Sequence, residues 1–208
     1  MAYDNRIRNF KSVASKAGQH ITFGNKKMTI PIFSIPAIKT CPGSTALCRK
    51  YCYAKKAEKL FPNVVTKRQR NLALSKTAGF VDTIVAELGN SPLMPYMRIH
   101  ESGDFYSQEY LNKWFEICRR MPEKTFLAFT KAFGLDYSKK PKNLKLYYSV
   151  FPDSCNVPRG GKKAYTTVTY KSFKGVNPDP CKAAHCSGYC DTCLVCFVGK
   201  QNVHFPVH

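Results

Sequence analysis

Three cysteines fall within twelve residues, at Cys41, Cys48 and Cys52, with six residues in the first gap and three in the second. Pro42 and Gly43 make the first gap a loop, since neither extends a helix or a strand well. Cys48 and Cys52 are four apart, so one helical turn would aim both sulfurs the same way. Three thiolates converging from a loop and a turn leave one corner of a four-iron cube without a cysteine, and an open iron can bind something else. A structural zinc would need a fourth ligand to close its tetrahedron.

A second set lies near the end of the chain. Cys181, Cys186, Cys190, Cys193 and Cys196 place five thiols in sixteen residues, after the break Asn177-Pro178-Asp179-Pro180. The run Cys190-x2-Cys193-x2-Cys196 has the spacing of bacterial ferredoxin loops, in which consecutive thiolates hold one cube and a remote cysteine completes it. Cys181 or Cys186 could be that remote ligand. Cys186 and Cys190 with Cys193 and Cys196 would also make a four-thiolate zinc site. The two sets form two centres or one shared centre, and spacing leaves both open. His185 reads as a neighbour, Cys118 as a core thiol and Cys155 as a free thiol.

The elements that must position these groups read as α/β. Residues 5–17 form a short basic helix. Residues 28–38 carry Pro31 and Pro36, which forbid a central ladder strand and suggest an extended edge segment. A helix follows Cys52 and stops near Pro62. The longest helix spans residues 66–89, capped by Thr66, with Leu72, Phe80, Ile84 and Leu88 on one buried stripe. Lys67, Arg68 and Arg70 crowd its first turn, where a bound anion would offset their unfavourable position on the helix dipole. Residues 96–100 form a strand, residues 107–120 a helix, and residues 125–131, 144–151 and 164–170 three more strands. This order predicts a parallel sheet. Functional groups in such sheets collect past the strands' carboxyl ends, where Glu101, Ser102, Gly103, Asp104, Lys131 and Ser149 fall. The expected division is a core over residues 1–176 and a cysteine-rich metal-binding lobe over 177–208.

Composition narrows the partners. The 208 residues are 44% hydrophobic and 13% aromatic, enough for a packed core. Lys and Arg total 33 against 13 Asp and Glu, a formal charge of +20 that favours RNA or DNA. The first residues show no apolar signal core, and no run is long enough to span a bilayer. A reducing cytoplasm is therefore expected, where clustered cysteines are metal ligands rather than disulfides.

The segment Cys48-Arg49-Lys50-Tyr51-Cys52-Tyr53 resembles the aromatic-flanked end of the cysteine loop in radical S-adenosylmethionine enzymes. Their cysteine gaps are three and two, against six and three here. The loop precedes βα units, as in that superfamily's partial barrels. The resemblance implies a compact partial (βα) barrel and S-adenosylmethionine bound near Glu101-Ser102-Gly103-Asp104. Over most of its length the chain is more similar to the phage gene-product-88 family, through its Cys-Pro-Gly start, Glu-Ser-Gly-Asp-Phe segment and cysteine-rich end. That resemblance implies a viral origin, the host cytoplasm and a metal centre.

The leading expectation is an iron–sulfur protein with one or two [4Fe-4S] clusters, zinc being the alternative in the tail. In its enzymatic form it would bind S-adenosylmethionine, draw electrons from a host reductant and act on nucleic acid. The rivals are a metal-stabilised nucleic-acid-binding module, gripping phosphates with residues such as Lys67, Arg68, Arg70, Arg119, Arg120, Lys162 and Lys163, and an electron-transfer protein.

Overall fold

In the computed structural model the described residues are 19–25, 28–90, 94–167, 183–186 and 188–206. The basic helix expected at residues 5–17 and the ligand candidate Cys181 lie outside them. Eight strands form one sheet in the order β1-β2-β3-β4-β5-β6-β8-β7. They are β1 (Thr22–Asn25), β2 (Met28–Phe33), β3 (Tyr96–Ile99), β4 (Thr125–Thr130), β5 (Leu144–Val150), β6 (Lys162–Thr167), β7 (Ala184–His185) and β8 (Val203–Pro206). The seven strands from β2 to β8 run parallel, β7 on the outer side of β8, and β1 joins the other edge antiparallel. The α/β class read from the strand–helix order is therefore the fold observed.

Alternation along the strands divides the core between the two faces. Phe126 and Ala128 of β4 join Phe33, Met97 and Ile99 under the helices α4 (Phe80–Gly89) and α5 (Gln108–Arg120), which contribute Phe80, Ile84, Leu88, Leu111 and Trp114. Leu127 points the other way, with Ile32, Tyr96, Tyr147 and Val203. That face is covered by the C-terminal segment, whose short helices α6 (Cys190–Cys193) and α7 (Val195–Val198) bring Phe197 against Tyr96 at a ring separation of 4.9 Å. The central strands β2, β3 and β4 thus have both faces covered, as parallel strands require.

Ser107 caps α5 as expected, its side chain accepting from the Tyr110 N–H at 3.2 Å. Three local expectations need correction. The segment at residues 28–38 is not an edge: β2 pairs with β1 on one side and β3 on the other. Pro31 is accommodated because only Ile32 and Phe33 pair with β3. The helix expected over 66–89 is two helices, α3 (Pro62–Ser75) and α4, broken at residues 76–79. Pro62 starts α3 one turn early, where its missing N–H costs nothing, and the Thr66 hydroxyl donates to the Pro62 carbonyl instead of capping. Cys48 and Cys52 do not share a helical turn. Cys48 lies in α1 (Ala46–Lys50), and Cys52 caps α2 (Tyr53–Leu60) by accepting from the Lys55 N–H at 3.4 Å.

Candidate metal centre

The first cysteine loop is seated on the carboxyl ends of β3 and β4. Gly43 packs so closely on β4's end that an added Cβ would stand 1.9 Å from the Lys131 carbonyl oxygen. Gly103 adopts φ +85°, and a Cβ there would meet Ile35 Cγ1 at 2.3 Å and Thr40 Oγ1 at 2.7 Å. Both positions exclude a side chain. The Asp104 N–H donates to the Thr40 carbonyl at 3.2 Å, and the Leu47 N–H donates to Asp153 Oδ2 at 2.9 Å. Glu58 ties the loop to the helices behind it, accepting from the Ala37 N–H at 2.8 Å and from Arg68 at 3.0 Å.

This seat places Cys48 and Cys52 near enough to influence the Cys41 thiol. Burial pushes the Cys41 thiol up to about 12, and the neighbouring Asp104, Cys48 and Cys52 push it in the same direction. Burial also raises Cys48, against the pull of the neighbouring Lys131 ammonium. Lys131 is held in turn by the Ser149 hydroxyl at 2.8 Å and lies 4.6 Å from the Phe151 ring centre.

The residues past β3 divide by role. Asp104 is buried, and its carboxylate accepts from the Phe105 N–H, the Thr130 hydroxyl and the Lys131 N–H, each at 2.7 Å. Burial raises its pKa, and those hydrogen bonds oppose the rise. The Glu101 carboxylate is half-exposed with Arg68 at 3.9 Å, and the Tyr53 hydroxyl donates to its backbone carbonyl at 2.5 Å. The Ser102 hydroxyl is buried without a partner among the described residues.

In the tail, Cys186, Cys190, Cys193 and Cys196 line one small cavity beneath Phe197. Burial raises Cys196 to about 12, with the other three thiols adding to the rise. Among the described residues, no three His, Cys, Asp or Glu side chains converge closely enough to hold a single metal ion.

Arg98 escaped the sequence reading. It stands on β3 with its guanidinium 5.4 Å from the Phe129 ring centre, on the face covered by the tail. Burial works to lower its pKa, but Tyr53, Cys190, Glu101 and Cys196 more than offset that. It is thus a cation shared by both cysteine-bearing regions. The signal was present as an arginine inside the apolar strand Tyr96-Met97-Arg98-Ile99, though nothing in sequence names its neighbours. The phosphate-gripping candidates are partly engaged within the fold. Arg68 is buried against Glu58 and the Ala54 carbonyl, Lys67 donates to the Ile21 carbonyl at 3.0 Å, and only Arg70 of the three is exposed. Arg119 and Arg120 pair with Glu116, and Lys162 donates to the Gly199 carbonyl.

A family model described as Gene product 88 matches residues 6–206. The Gene 88 protein of Mycobacterium phage L5 is 29% identical over 194 residues, covering 80% of this chain and 81% of its own. The Gene 88 protein of Mycobacterium phage D29 is 28% identical over 195 residues, with the same coverage. No solved structure matches. Among the described residues, no helix is long and apolar enough to cross a membrane. The match over nearly the whole length supports the viral character that the motifs implied, and the chain belongs to the gene product 88 family.

Proposed function

We propose that the chain is an iron–sulfur protein in which Cys41, Cys48 and Cys52 hold a four-iron cube, one iron free of cysteine, at the mouth of a partial (βα) barrel. The observation that carries this reading is the seating of three mutually opposing thiols on a loop locked to Lys131 and Asp104 by Gly43 and Gly103. Tetrahedral zinc, with sulfurs about 2.3 Å from the metal, would draw four thiolates to within roughly 4 Å of one another. A cube carries its thiolates on separate irons and spaces them more widely. The three thiols act on one another electrostatically, and among the described residues no group of three converges on a single-ion site. Buried thiols of raised pKa stay protonated at neutral pH on their own, and a cationic centre favours their ionisation.

When bound, such a group supplies one-electron reduction at its open iron. The side chains around it sort by what they have free. Asp104 has both carboxylate oxygens engaged in holding β4's end. That leaves the Glu101 carboxylate and the unpartnered Ser102 hydroxyl to receive an ammonium such as that of S-adenosylmethionine. Lys131, fixed by Ser149, orients Cys48. The tail thiols Cys186, Cys190, Cys193 and Cys196 are assigned a second centre, with Cys181 as a further ligand and zinc as the alternative metal. Their packing on the apolar face beside Phe129 and Phe197 favours a structural role there. A host reductant would supply the electron, in the host cytoplasm.

Anaerobic purification with iron, sulfide and zinc measured per chain tests the assignment. The protein should be brown, with iron and sulfide in equal amounts. The triple variant Cys41→Ala, Cys48→Ala, Cys52→Ala should lose the first cube and all reductive cleavage of S-adenosylmethionine. A colourless chain holding only zinc would refute the reading.

A further inference from the structure

A run of cations not consumed by internal bonds lies beside the cysteine mouth. Arg49 and Lys50 of α1, Lys55, Lys56 and Lys59 of α2, and Lys39 in the loop before them are all exposed. Arg49 reaches only back to the Ser44 carbonyl at 2.6 Å, and Lys50 lies 5.5 Å from the Tyr51 ring centre. Neither touches an acid among the described residues. The side chains of Lys55, Lys56 and Lys59 have no ion-pair partner among the described residues. The one acid in the segment, Glu58, faces inward to Arg68 and the Ala37 N–H. Several cations elsewhere are engaged internally, whereas Arg70, Lys76, Lys139 and Lys142 stand exposed on other elements. Lys113 pairs with Glu109, Arg120 with Asp82 and Glu116, Lys163 with three carbonyls of its own loop, and Lys140 with the Leu144 carbonyl.

Exposed aromatic surface is interleaved with this charge. Tyr53 is 45% and Phe61 53% exposed, with Leu60 at 70%. Tyr53, Lys56 and Leu60 stand at helical spacing on one stripe of α2, with Lys55 and Lys59 on the adjoining one. Paired lysines and open rings suit a chain that offers phosphates and unstacked bases together, which is the signature of single-stranded nucleic acid. A duplex keeps its bases stacked and would leave the rings unused. The ridge also contains the cysteine site's own parts. Cys48 lies in α1, Cys52 caps α2, and the Tyr53 hydroxyl bonds the Glu101 carbonyl.

We propose that the α1–α2 ridge, through Lys55, Lys56, Lys59 and the rings of Tyr53 and Phe61, docks single-stranded nucleic acid across the mouth of the first cysteine site. This deepens the reading above by naming the substrate class, and it places the contact on α1–α2 instead of α3.

The test is fluorescence anisotropy of a labelled oligo-dT and oligo-rU, with a labelled duplex of equal length, across a salt series. The variant Lys55→Glu/Lys56→Glu/Lys59→Glu is compared with Lys76→Glu/Lys139→Glu/Lys142→Glu, which makes the same change in net charge at other exposed lysines. The ridge variant should bind at least about tenfold more weakly and flatten the salt slope by about 2, from roughly 0.7 per lost phosphate contact. The control should stay within about threefold of wild type. Phe61→Ala should weaken binding about fivefold with the salt slope unchanged, as loss of one stacked base would. Equal losses in ridge and control variants, or a duplex bound as tightly as the single strands, would overturn the proposal. Iron is quantified on each preparation, so a chain that binds nucleic acid without iron refutes the cluster and spares the ridge.

Discussion

His100 ends β3 in the left-handed region, φ 62°, and is buried with its Nε2 2.8 Å from the Tyr110 hydroxyl. Its Nδ1 has no partner among the described residues. Burial, with Arg98 on the same strand, lowers its pKa from 6.5 to about 3. Between those values the unfolded chain binds a proton that the folded chain refuses. Stability is therefore lost as pH falls from about 6.5 toward 3, at up to about 1.4 kcal/mol per unit. Asp104 acts in the opposite sense, since its raised pKa makes the folded chain the better proton acceptor in acid. His100→Gln keeps a polar group near Tyr110 and does not titrate. Urea unfolding from about pH 6.5 to about pH 4 should show a steep loss of stability in wild type and a shallower one in the variant. Parallel pH profiles would mean the imidazole is not held neutral. At this scale the cysteines were legible because their spacing is itself a signal. Arg98 was legible only as an oddity, because its partners Cys190 and Cys196 lie about ninety residues away in sequence and meet it only through the fold.

At the scale of elements, the seat of the cysteine loop depends on two glycines that periodicity cannot flag. Gly43→Ala forces the loop off the Lys131 carbonyl, a clash with backbone that no rotamer relieves. The cost expected of such overpacking is about 1–3 kcal/mol. Gly103→Ala adds about 1 kcal/mol of left-handed strain to its contacts with Ile35 and Thr40. Gly134→Ala, where nothing lies within 4 Å of the new methyl, should be neutral. Denaturant midpoints rank these variants, and iron per chain should fall with the first two alone. A Gly43→Ala chain that unfolds and loads iron like Gly134→Ala would show that the loop is not locked. The strands β3, β4, β5 and part of β6, and the helix α5, could be read in advance because alternation and a Ser107 cap act locally, whereas β1, β7 and β8 went unread. The split between α3 and α4 could not, because Lys76-Thr77-Ala78-Gly79 carries no proline and Leu72 and Phe80 sit on a plausible shared stripe. What separates them is the demand that α4 lie on α5 over the sheet.

At the scale of the whole molecule, the charge of +20 is read directly from the sequence, but which cations are paired internally is not. Pairing depends on tertiary neighbours, and Glu58 reaches Arg68 only once α2 folds back along α3. The same limit governs the C-terminal segment. Its cysteines suggested a lobe held by metal, yet β8 hydrogen-bonds along β6 and Phe197 is 1% exposed against Tyr96. The face it covers lies directly across the sheet from the face that buries Trp114, the chain's one tryptophan. Phe197→Ala removes a buried ring from one face, at about 3–5 kcal/mol. If sheet and tail unfold together, Trp114 fluorescence should report that loss as a lower midpoint in a single transition, coincident with far-ultraviolet circular dichroism. An unshifted Trp114 midpoint beside an earlier loss of tail structure would mean that residues 183–206 fold as a separate unit. Coupling of the two faces follows from geometry, because Leu127 and Ala128 are adjacent in β4 and point to opposite cores, so neither face can lose its packing while the strand between them stays in place.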